Sequence, residues 1–455
     1  MSSPDLVRGR TIHRWTAIHA VKGGESVPGS DVPVDAAATA WLLASAAFVL
    51  LMTPGIALFY GGMVRRTNVL SVIVQAFAGM AVTCVVWVVL GFSLAFSGDN
   101  PYLGDLDLVG IPANATNHVV PGVPLVVYAA FQMMFAVLAG ALILGAGAER
   151  WRFAAYLFFV GLWSLAVYAP VAHWVFDPRG WAHRWGMLDF AGGTVVHITA
   201  GAAALAVAIS LGRRRGWPEG AARPHNLPIV MAGLGLLWVG WLGFNGGSAY
   251  GATAVAGVAI INSQAAGAAG LLVWLLAERL RHGKATTLGA ASGAVAGLVA
   301  ITPGAGYVTP LAALGIGGLA GLLCHLAVGI KRWFNVDDSL DVAAVHLGGG
   351  IVGCVCVGLF ASAAVNPAGG DGLFYSGTYR LLGVQAATAG VVAVFTFVVT
   401  LLIATVVNRI ISQRVRRRQE NLGLDLAQHG ESAYDLTTVD KTADVIEQPT
   451  ASIRS

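Results

Sequence analysis

The stretch DFAGGTVVHITAG at residues 189–201 continues through AAALAVAISLG to residue 212, so that an almost unbroken apolar run follows Asp189. The run contains one ionisable side chain, that of His197. A helix that crosses a hydrocarbon core of about 30 Å needs roughly 20 apolar residues. The stretch therefore predicts a membrane-spanning helix over 190–212, with a histidine buried about 12 Å from its start.

The composition extends this prediction to the whole chain. Of the 455 residues 56% are hydrophobic and 11% are charged, whereas soluble domains average about 25% charged residues. The 59 glycines favour close helix–helix approach in a membrane. The net charge of +4 is spread between apolar stretches, so no nucleic-acid partner is predicted. The four cysteines lie in apolar runs without metal-site or disulfide spacing, and we expect no metal or cofactor.

Apolar runs of membrane-spanning length predict an all-α polytopic membrane protein with about eleven transmembrane helices. The stretch ITPGAGYVTP interrupts an otherwise continuous apolar segment over 287–330, where the number of helices is least clear. A multi-pass protein of the cell membrane (the inner or plasma membrane) is expected. The runs, numbered 1 to 11, are 36–60, 69–97, 122–148, 152–175, 190–212, 227–247, 253–280, 287–303, 309–330, 341–362 and 379–411.

Basic residues predict the orientation of these helices. They concentrate in the connections after runs 1, 3, 5, 7 and 9 and in the tail after run 11, while the opposite loops hold only Arg179, Arg184 and Arg380. Because Lys and Arg are enriched on the cytoplasmic side, the N-terminus is predicted outside and the C-terminus inside. The resulting organisation is an extracytoplasmic tail at 1–35, a transmembrane domain at 36–412 and a cytoplasmic tail at 413–455.

An internal similarity suggests an inverted repeat. Run 1 ends in FYGG (59–62) and run 6 in FNGG (244–247), five runs later. Runs 5 and 10 each open with an aspartate and carry a histidine, namely Asp189 with His197 and Asp341 with His346. Five helices per repeat place the second copy upside down relative to the first. The pattern predicts a 5+5 inverted repeat with run 11 added, and a substrate site where the repeats meet.

Ionisable residues inside the runs are functional candidates because burying them is costly. A neutral imidazole donates at one ring nitrogen and accepts at the other, so His197 and His346 could guide a small polar solute or relay a proton. The alternative is that each ring merely satisfies a backbone carbonyl, and His325 is assigned to that class. We interpret Asp341 as a helix cap. Asp189 either caps its helix or helps to orient a cation.

Aromatic residues near the outer ends of runs 3 and 6 offer a second candidate site. Phe131, Phe135, Trp241 and Phe244 could form a vestibule that binds an ammonium-type cation through cation–π contacts. The alternative is that they are interfacial anchors or lipid-facing side chains, as most aromatic residues in membrane proteins are.

Several longer motifs resemble the ammonium transporter family (Amt/Mep/Rh), and the bacterial Amt type in particular. The resemblance covers residues 36–436 in the family's order. It implies eleven helices, usually in a homotrimer with one pore per subunit, and ammonium or ammonia as the solute. The motifs are TPGIALFYGG (53–62), AAFQMMF (129–135), DFAGGTVVHITAG (189–201), PHNLP (224–228), GWLGFNGGS (240–248), VDDSLDVAAVH with GGGIVGC (336–354) and GLDLAQHGESAYDL (423–436).

The resemblance also implies roles for individual residues. His197 and His346 would be paired pore histidines, and Phe135 and Phe244 the stacked rings that close the pore from outside. A pore-side polar residue is implied at Ser263, and the tail resembles the segment on which PII signalling proteins dock. The outer recruitment site for the cation would comprise Phe131, Phe176, Trp241, Ser248 and Asp189, with Asp189 acting through the backbone that it organises.

One departure and two rival functions accompany the resemblance. Where the family usually has a Trp in a segment like His-x-Val-Trp, this chain reads HWVF at 173–176, and Phe is the weaker cation–π partner. We therefore expect looser external cation binding, further weakened by Arg179 and Arg184 unless these side chains point away. The rivals are an Rh-like channel for NH3 or CO2 and an ammonium sensor, although too little chain follows run 11 for an appended domain. No enzyme activity is expected.

Overall fold

The computed structural model describes residues 33–116, 119–120, 122–218 and 223–434. Within these residues eleven helices are long and apolar enough to cross a membrane, which confirms the predicted number. Their bounds agree with the predicted runs to within a few residues except at the end of α4. They are α1 (Ala36–Met63), α2 (Val69–Phe96), α3 (Leu125–Gly147), α4 (Phe153–Trp185), α5 (Gly193–Leu211), α6 (Leu227–Gly247), α7 (Ala254–His282), α8 (Thr287–Gly304), α9 (Pro310–Trp333), α10 (Ala343–Phe360) and α11 (Arg380–Ile410).

Short elements complete the described part of the chain. A 3-10 turn at Ala113–Thr116 precedes a two-residue antiparallel hairpin between Val119–Val120 and Val123–Pro124. The last turn of α4, Trp181–Trp185, is set off by a bend. Further short helices lie at Leu373–Ser376, Arg417–Leu422 and Asp425–His429.

The interrupted segment over 287–330 folds as two helices, and its sequence explains why. Thr302, Pro303 and Gly304 form a 3-10 turn that ends α8. The Thr309 side chain then accepts a hydrogen bond from the Ala312 amide and caps α9, whose first residue is Pro310. Proline at the first helical position costs no hydrogen bond, because that amide has no partner in a helix anyway.

Corresponding helices of the two predicted repeats pack against each other, α1 against α6 and α5 against α10. Glycines bring α5 and α10 close together. A Cβ at Gly201 would collide with the backbone of Leu347, and one at Gly350 would lie 2.8 Å from Ile198 Cγ1. This close approach allows side chains on α5 and α10 to meet directly.

The tail folds back onto the ends of the membrane helices. The Val415 amide donates to the carbonyl of Arg150, and the Asp425 amide to the carbonyl of Thr67. The predicted tail at 413–455 is described only to residue 434, and the predicted N-terminal tail at 1–35 only from residue 33.

Candidate functional site

His197 on α5 and His346 on α10 meet in the interior of the helix bundle. Their Nδ1 atoms lie 3.3 Å apart, and the two rings are nearly parallel with centroids 5.3 Å apart. The exposed fractions of the two side chains are 0% and 4%. The hydrogen bond therefore runs between two buried rings, and neither ring nitrogen in it is bonded to a backbone carbonyl.

The shared hydrogen bond fixes complementary tautomers in the neutral pair. One Nδ1 carries the proton and donates, while the other accepts. The donating ring then has a bare Nε2, and the accepting ring has an Nε2–H. Among the described residues, the Nε2 atom of His197 has no hydrogen-bond partner. The pair thus offers a free acceptor on one ring and a donor on the other.

Each histidine lies in a π turn that opens its helix, Gly193–Ile198 in α5 and Ala343–Leu347 in α10. Such wide turns are frequent at functional sites. At the start of α5 one oxygen of Asp189 accepts from the amides of Gly192 and Gly193, and the other accepts from those of Thr194 and Val195. Burial raises the pKa of the Asp189 carboxyl, against the lowering effect of these four amides.

The prediction that Asp341 caps α10 is wrong, because Asp338 holds that position. Asp338 Oδ2 accepts from the Ala343 amide at 2.7 Å. Asp338 precedes His346 by eight positions, as Asp189 precedes His197. Asp341 instead has a positive φ of 61° and pairs with Lys331 at 2.6 Å. Burial, with the nearby charge of Asp341, raises the pKa of Asp338 to about 6.

A column of aromatic rings leads to the histidines from the face that the sequence predicts to be outside, which we call the outer face. Phe135 and Phe244 are stacked with centroids 4.1 Å apart and planes 19° apart. Phe176 meets the edge of Phe135 at 6.2 Å on one side. On the other side, the His197 ring lies 6.1 Å from that of Phe244. The exposed fractions of the two stacked rings are 1% and 0%, so they leave no open passage between them.

The outer end of this column opens into a cavity of about 730 Å³, whose lining includes Phe176, Asp189, Ser248 and Tyr250. The Ser248 hydroxyl donates to the carbonyl of Phe244 at 2.9 Å. Its hydrogen is therefore used, and its oxygen is presented as an acceptor. Burial raises the pKa of Tyr250 to about 12, so that hydroxyl stays neutral at physiological pH.

Two of the aromatic residues assigned to the outer site lie deeper than its lining. Phe131 packs under Tyr250 and against Phe135, at 6.2 and 4.9 Å between centroids. Trp241 stacks on His197, with centroids 5.3 Å and planes 21° apart. Trp241 thus forms a wall beside the histidine pair, one helical turn further in than Phe244.

Thr302 was missed in the sequence analysis. Its hydroxyl accepts from Trp241 Nε1 at 3.0 Å and donates to the carbonyl of Leu298. It therefore fixes the indole that stacks on His197. Ser263, the predicted pore-side polar residue, accepts from Nδ2 of the Asn245 side chain at 2.7 Å and donates to the carbonyl of Ala259. It contacts the residue that follows Phe244.

The basic residues near the outer cavity bear on the expected repulsion of a cation. Arg179 donates to both carboxylate oxygens of Asp177 and to the carbonyl of Phe96. Its charge is therefore compensated at close range. Arg184 is exposed and does not contribute to the cavity lining, whereas Arg380 does.

On the far side of the histidines lies a small cavity of about 20 Å³ between α1, α3, α6, α8 and α10. Its lining is apolar except for Tyr60, Trp241 and His346, and the Tyr60 hydroxyl is occupied by the carbonyl of Leu142. A space of this size holds about one water-sized molecule. The space beyond the histidine pair is therefore narrow and mostly apolar.

Comparison with known proteins identifies the family. The model of the Ammonium Transporter Family matches residues 40–434. An ammonium transporter of Mycobacterium tuberculosis is 49% identical over 442 residues, covering 90% of this chain and 92% of that protein. An ammonium transporter of Bacillus subtilis is 46% identical over 402 residues, covering 87% and 98%.

Solved structures share the fold. Saccharomyces cerevisiae Mep2 has a TM-score of 0.81 at 35% identity, with 88% of this chain and 94% of that chain covered. A sensor Amt protein has a TM-score of 0.80 at 29% identity, with 86% and 98% covered. Mep2 and a protein titled as a sensor therefore have the same helical architecture as this chain.

Proposed function

This chain belongs to the ammonium transporter family, and on that premise we propose that it recruits ammonium at the outer cavity and conducts ammonia past the histidine pair. The observation that carries the proposal is the unbroken succession from cavity to stacked rings to histidines. The cavity suits a cation, the stacked rings exclude ions, and the histidine pair suits neutral ammonia.

The outer cavity suits a small cation. The Ser248 oxygen is available as an acceptor because its hydrogen is already donated. Phe176 contributes a ring at the cavity floor, and an aromatic face attracts a cation through its quadrupole. Asp189 adds negative charge to the wall, although its oxygens are taken by amides. We propose that Asp189 acts by electrostatics and by fixing the turn, and not as a direct ligand.

The stacked pair of Phe135 and Phe244 suits the exclusion of ions. An ion that enters a dry apolar column loses its hydration, and such desolvation costs several kcal/mol even after relaxation. Two phenyl rings offer no hydrogen bond in return for it. We propose that ammonium gives up its proton at this gate, either to water in the outer cavity or to the free acceptor nitrogen of the histidine pair, and that neutral ammonia continues inward.

The histidine pair suits a neutral solute that both donates and accepts. Ammonia has three N–H donors and one lone pair, and the pair offers a free acceptor on one ring and a donor on the other. Trp241 closes one side of this passage by stacking on His197. The same tautomeric pair is able to pass a proton along if both rings exchange roles.

The test is transport by the purified protein in liposomes. We expect ammonium addition to change the luminal pH faster than in protein-free liposomes, and His197→Leu to reduce this rate. Simultaneous current measurement separates the two modes of conduction. A current indicates that the proton follows the ammonia, and a pH change without current indicates net NH3 conduction. Rates equal to those of empty liposomes would contradict the proposal.

Sensing is the second candidate, because a sensor Amt protein has the same fold at 29% identity. A pure sensor would bind ammonium at the outer cavity without turnover. Ammonium that stabilises the protein in a thermal melt but produces no flux in liposomes would favour sensing over transport.

We propose that the chain works as a homotrimer in the cell membrane, with its C-terminal tail in the cytoplasm and available to a PII-type protein. Contacts of the tail support a regulatory role. The Glu420 carboxylate accepts from the Arg215 amide and pairs with Arg414, and Asp425 accepts from the Ser71 amide. A partner that moved the tail would thereby act on the ends of α2 and α5. Cross-linking and mass measurement in nanodiscs test the trimer.

A further inference from the structure

A basic pocket lies where the tail meets the start of α4, and none of its lining residues lines either of the two cavities described above. It has a volume of about 550 Å³ and is defined by eight residues. These are Arg152, Phe153, Ala154, Arg416, Arg418, Gln419, Ala427 and Gln428. Three of the eight are arginines, and the lining carries no carboxylate. We call this cavity the tail pocket.

The floor of the tail pocket is held together by hydrogen bonds between the tail and the residues at the start of α4. The Arg152 amide donates to the carbonyl of Gln413 at 2.8 Å, next to a β-bridge between Trp151 and Arg414. Gln428 is held from both ends, because its Oε1 accepts from the Phe153 amide at 2.9 Å and its Nε2 donates to the carbonyl of Trp151 at 3.3 Å. These contacts fix the two walls of the pocket relative to each other.

The arginines of the tail pocket differ from three nearby arginines that are paired with carboxylates. Among the described residues, Arg65, Arg214 and Arg414 pair with buried carboxylates. No carboxylate in the described part of the chain lies within ion-pair distance of Arg152, Arg416 or Arg418. Three guanidinium groups around one cavity match a phosphate group, which guanidinium binds through paired N–H donors.

The position of the tail pocket favours a lipid as the source of that phosphate. Arg152 directly precedes α4, so the pocket lies at the membrane boundary. Ala154 and Phe158 are exposed on α4, and the partly exposed Leu162 and exposed Ala166 continue the row at four-residue intervals. Residues four apart share one helix face. An apolar stripe thus descends into the hydrocarbon from the rim of a basic pocket.

We propose that the tail pocket binds the headgroup phosphate of an anionic phospholipid in the tail-side leaflet, with an acyl chain lying along the exposed stripe of α4. The lipid then bridges α4 and the tail, so that the position of the tail depends on the composition of that leaflet. Neutral phosphatidylcholine has the same phosphate but lacks the net charge that attracts it to three arginines.

The first test compares fluorescent phosphatidylglycerol and phosphatidylcholine for binding to the full chain in neutral detergent micelles. We expect phosphatidylglycerol to bind with roughly tenfold or greater preference, because arginines near a membrane surface attract anionic lipid. The variant Arg152→Gln/Arg416→Gln/Arg418→Gln is expected to lose this preference. Ala154→Glu, which leaves every arginine in place, is expected to lose it too.

The matched control is Arg66→Gln/Arg332→Gln/Arg417→Gln, which removes the same charge from exposed positions on the same side but outside the tail pocket. It should keep the preference. Equal losses in the control and the pocket variant would overturn the proposal in favour of general electrostatic attraction. Displacement of the lipid by millimolar inorganic phosphate would overturn it in favour of a free anion. Binding seen only after removal of residues 435–455 would identify that segment as the natural occupant.

Discussion

The two histidine-bearing helices begin with the same arrangement at opposite ends of the path, but the two beginnings are not equally satisfied. At the start of α5 both oxygens of Asp189 are occupied by four backbone amides at 2.7 to 3.3 Å. At the start of α10 one oxygen of Asp338 accepts from Ala343, while the other has no hydrogen-bond partner among the described residues. Lys331 and Asp341 stand close to this second aspartate.

The difference indicates two roles for the same arrangement of an aspartate and a histidine. An aspartate eight positions before a histidine fixes the turn that aims the ring into the path. In the outer half both oxygens of this aspartate are occupied by amides, so Asp189 holds the turn that carries His197 in one position. In the inner half the aspartate stays under-bonded, and its pKa of about 6 leaves Asp338 able to titrate within the physiological range.

Replacing each aspartate by alanine tests this comparison most severely. Asp189→Ala leaves four amides without their acceptor, and we expect a loss of about 3 kcal/mol or more in stability together with loss of transport. Asp338→Ala removes one well-formed amide contact and also a buried charge, so the expected cost is about 1 kcal/mol. Thermal melts in detergent and ammonium flux in liposomes measure both effects. Equal losses in the two variants would remove the distinction between the halves.

Much of the fold could be predicted because membrane helices are encoded by length and apolarity alone. The turn TPGAGYVT between α8 and α9 was locally ambiguous, yet Pro303 and Thr309 end and start helices where the structure has them. The cap of α10 was misplaced because Asp341 lies nearest the apolar run. The eight-residue spacing from Asp189 to His197 was the available signal for Asp338. The positive φ of Asp341 could not be predicted from the sequence pattern.

The site itself depends on contacts between distant segments, which a single sequence does not encode locally. The two histidines could be proposed because an ionisable residue stands out in an apolar run. The stacking of Phe135 on Phe244 was expected only from resemblance to a family. The hydrogen bond from Trp241 to Thr302 joins α6 to α8, and no spacing rule relates two such positions.

Thr302→Val sharpens the outer half of the comparison. It removes the hydrogen bond that Trp241, the residue stacked on His197, donates to residue 302, and it keeps the shape of that side chain. The variant leaves Trp241 Nε1 buried without an acceptor, and we expect a cost of about 1 to 3 kcal/mol and slower conduction. Thr302→Ser keeps the hydroxyl and serves as the control. If valine and serine behave alike in thermal melts and in flux, the hydroxyl does not position Trp241.

The raised pKa of Asp338 predicts a pH dependence confined to the inner half. The carboxyl binds its proton more tightly in the folded than in the unfolded protein, whose value is about 3.9. Its favourable contribution to stability is therefore complete below about pH 4 and is lost as the pH rises through 6. Between pH 7.5 and 5.5 the native protein should gain about 1 kcal/mol relative to Asp338→Asn.

Thermal melts of the native protein and Asp338→Asn across this pH range measure the difference. Asp189 titrates equally in both proteins and cancels from the comparison. Parallel melting curves at all pH values would show that Asp338 does not change protonation in this range.

Phe176→Trp tests the aromatic part of the outer half. Tryptophan presents a stronger quadrupole to a cation than phenylalanine, and the gain at an exposed site is about 0.5 to 1 kcal/mol. We expect the apparent affinity for ammonium or methylammonium to rise roughly two- to fivefold, with little change in maximal rate. Phe176→Leu is the matched loss of the ring and should weaken binding. Unchanged affinity in both variants would mean that position 176 does not contact the cation.

Asp341→Asn should have the smallest effect and decides which aspartate begins α10. Asparagine tolerates the left-handed conformation at this position about as well as aspartate does. The lost ion pair with Lys331 is partly exposed, and such pairs contribute about 0 to 1 kcal/mol. Flux and melting temperature should therefore stay close to the native values, while Asp338→Ala lowers both. If Asp341→Asn instead matched the loss in Asp338→Ala, the charge beside Lys331 and not the amide contact of Asp338 would fix the position of His346.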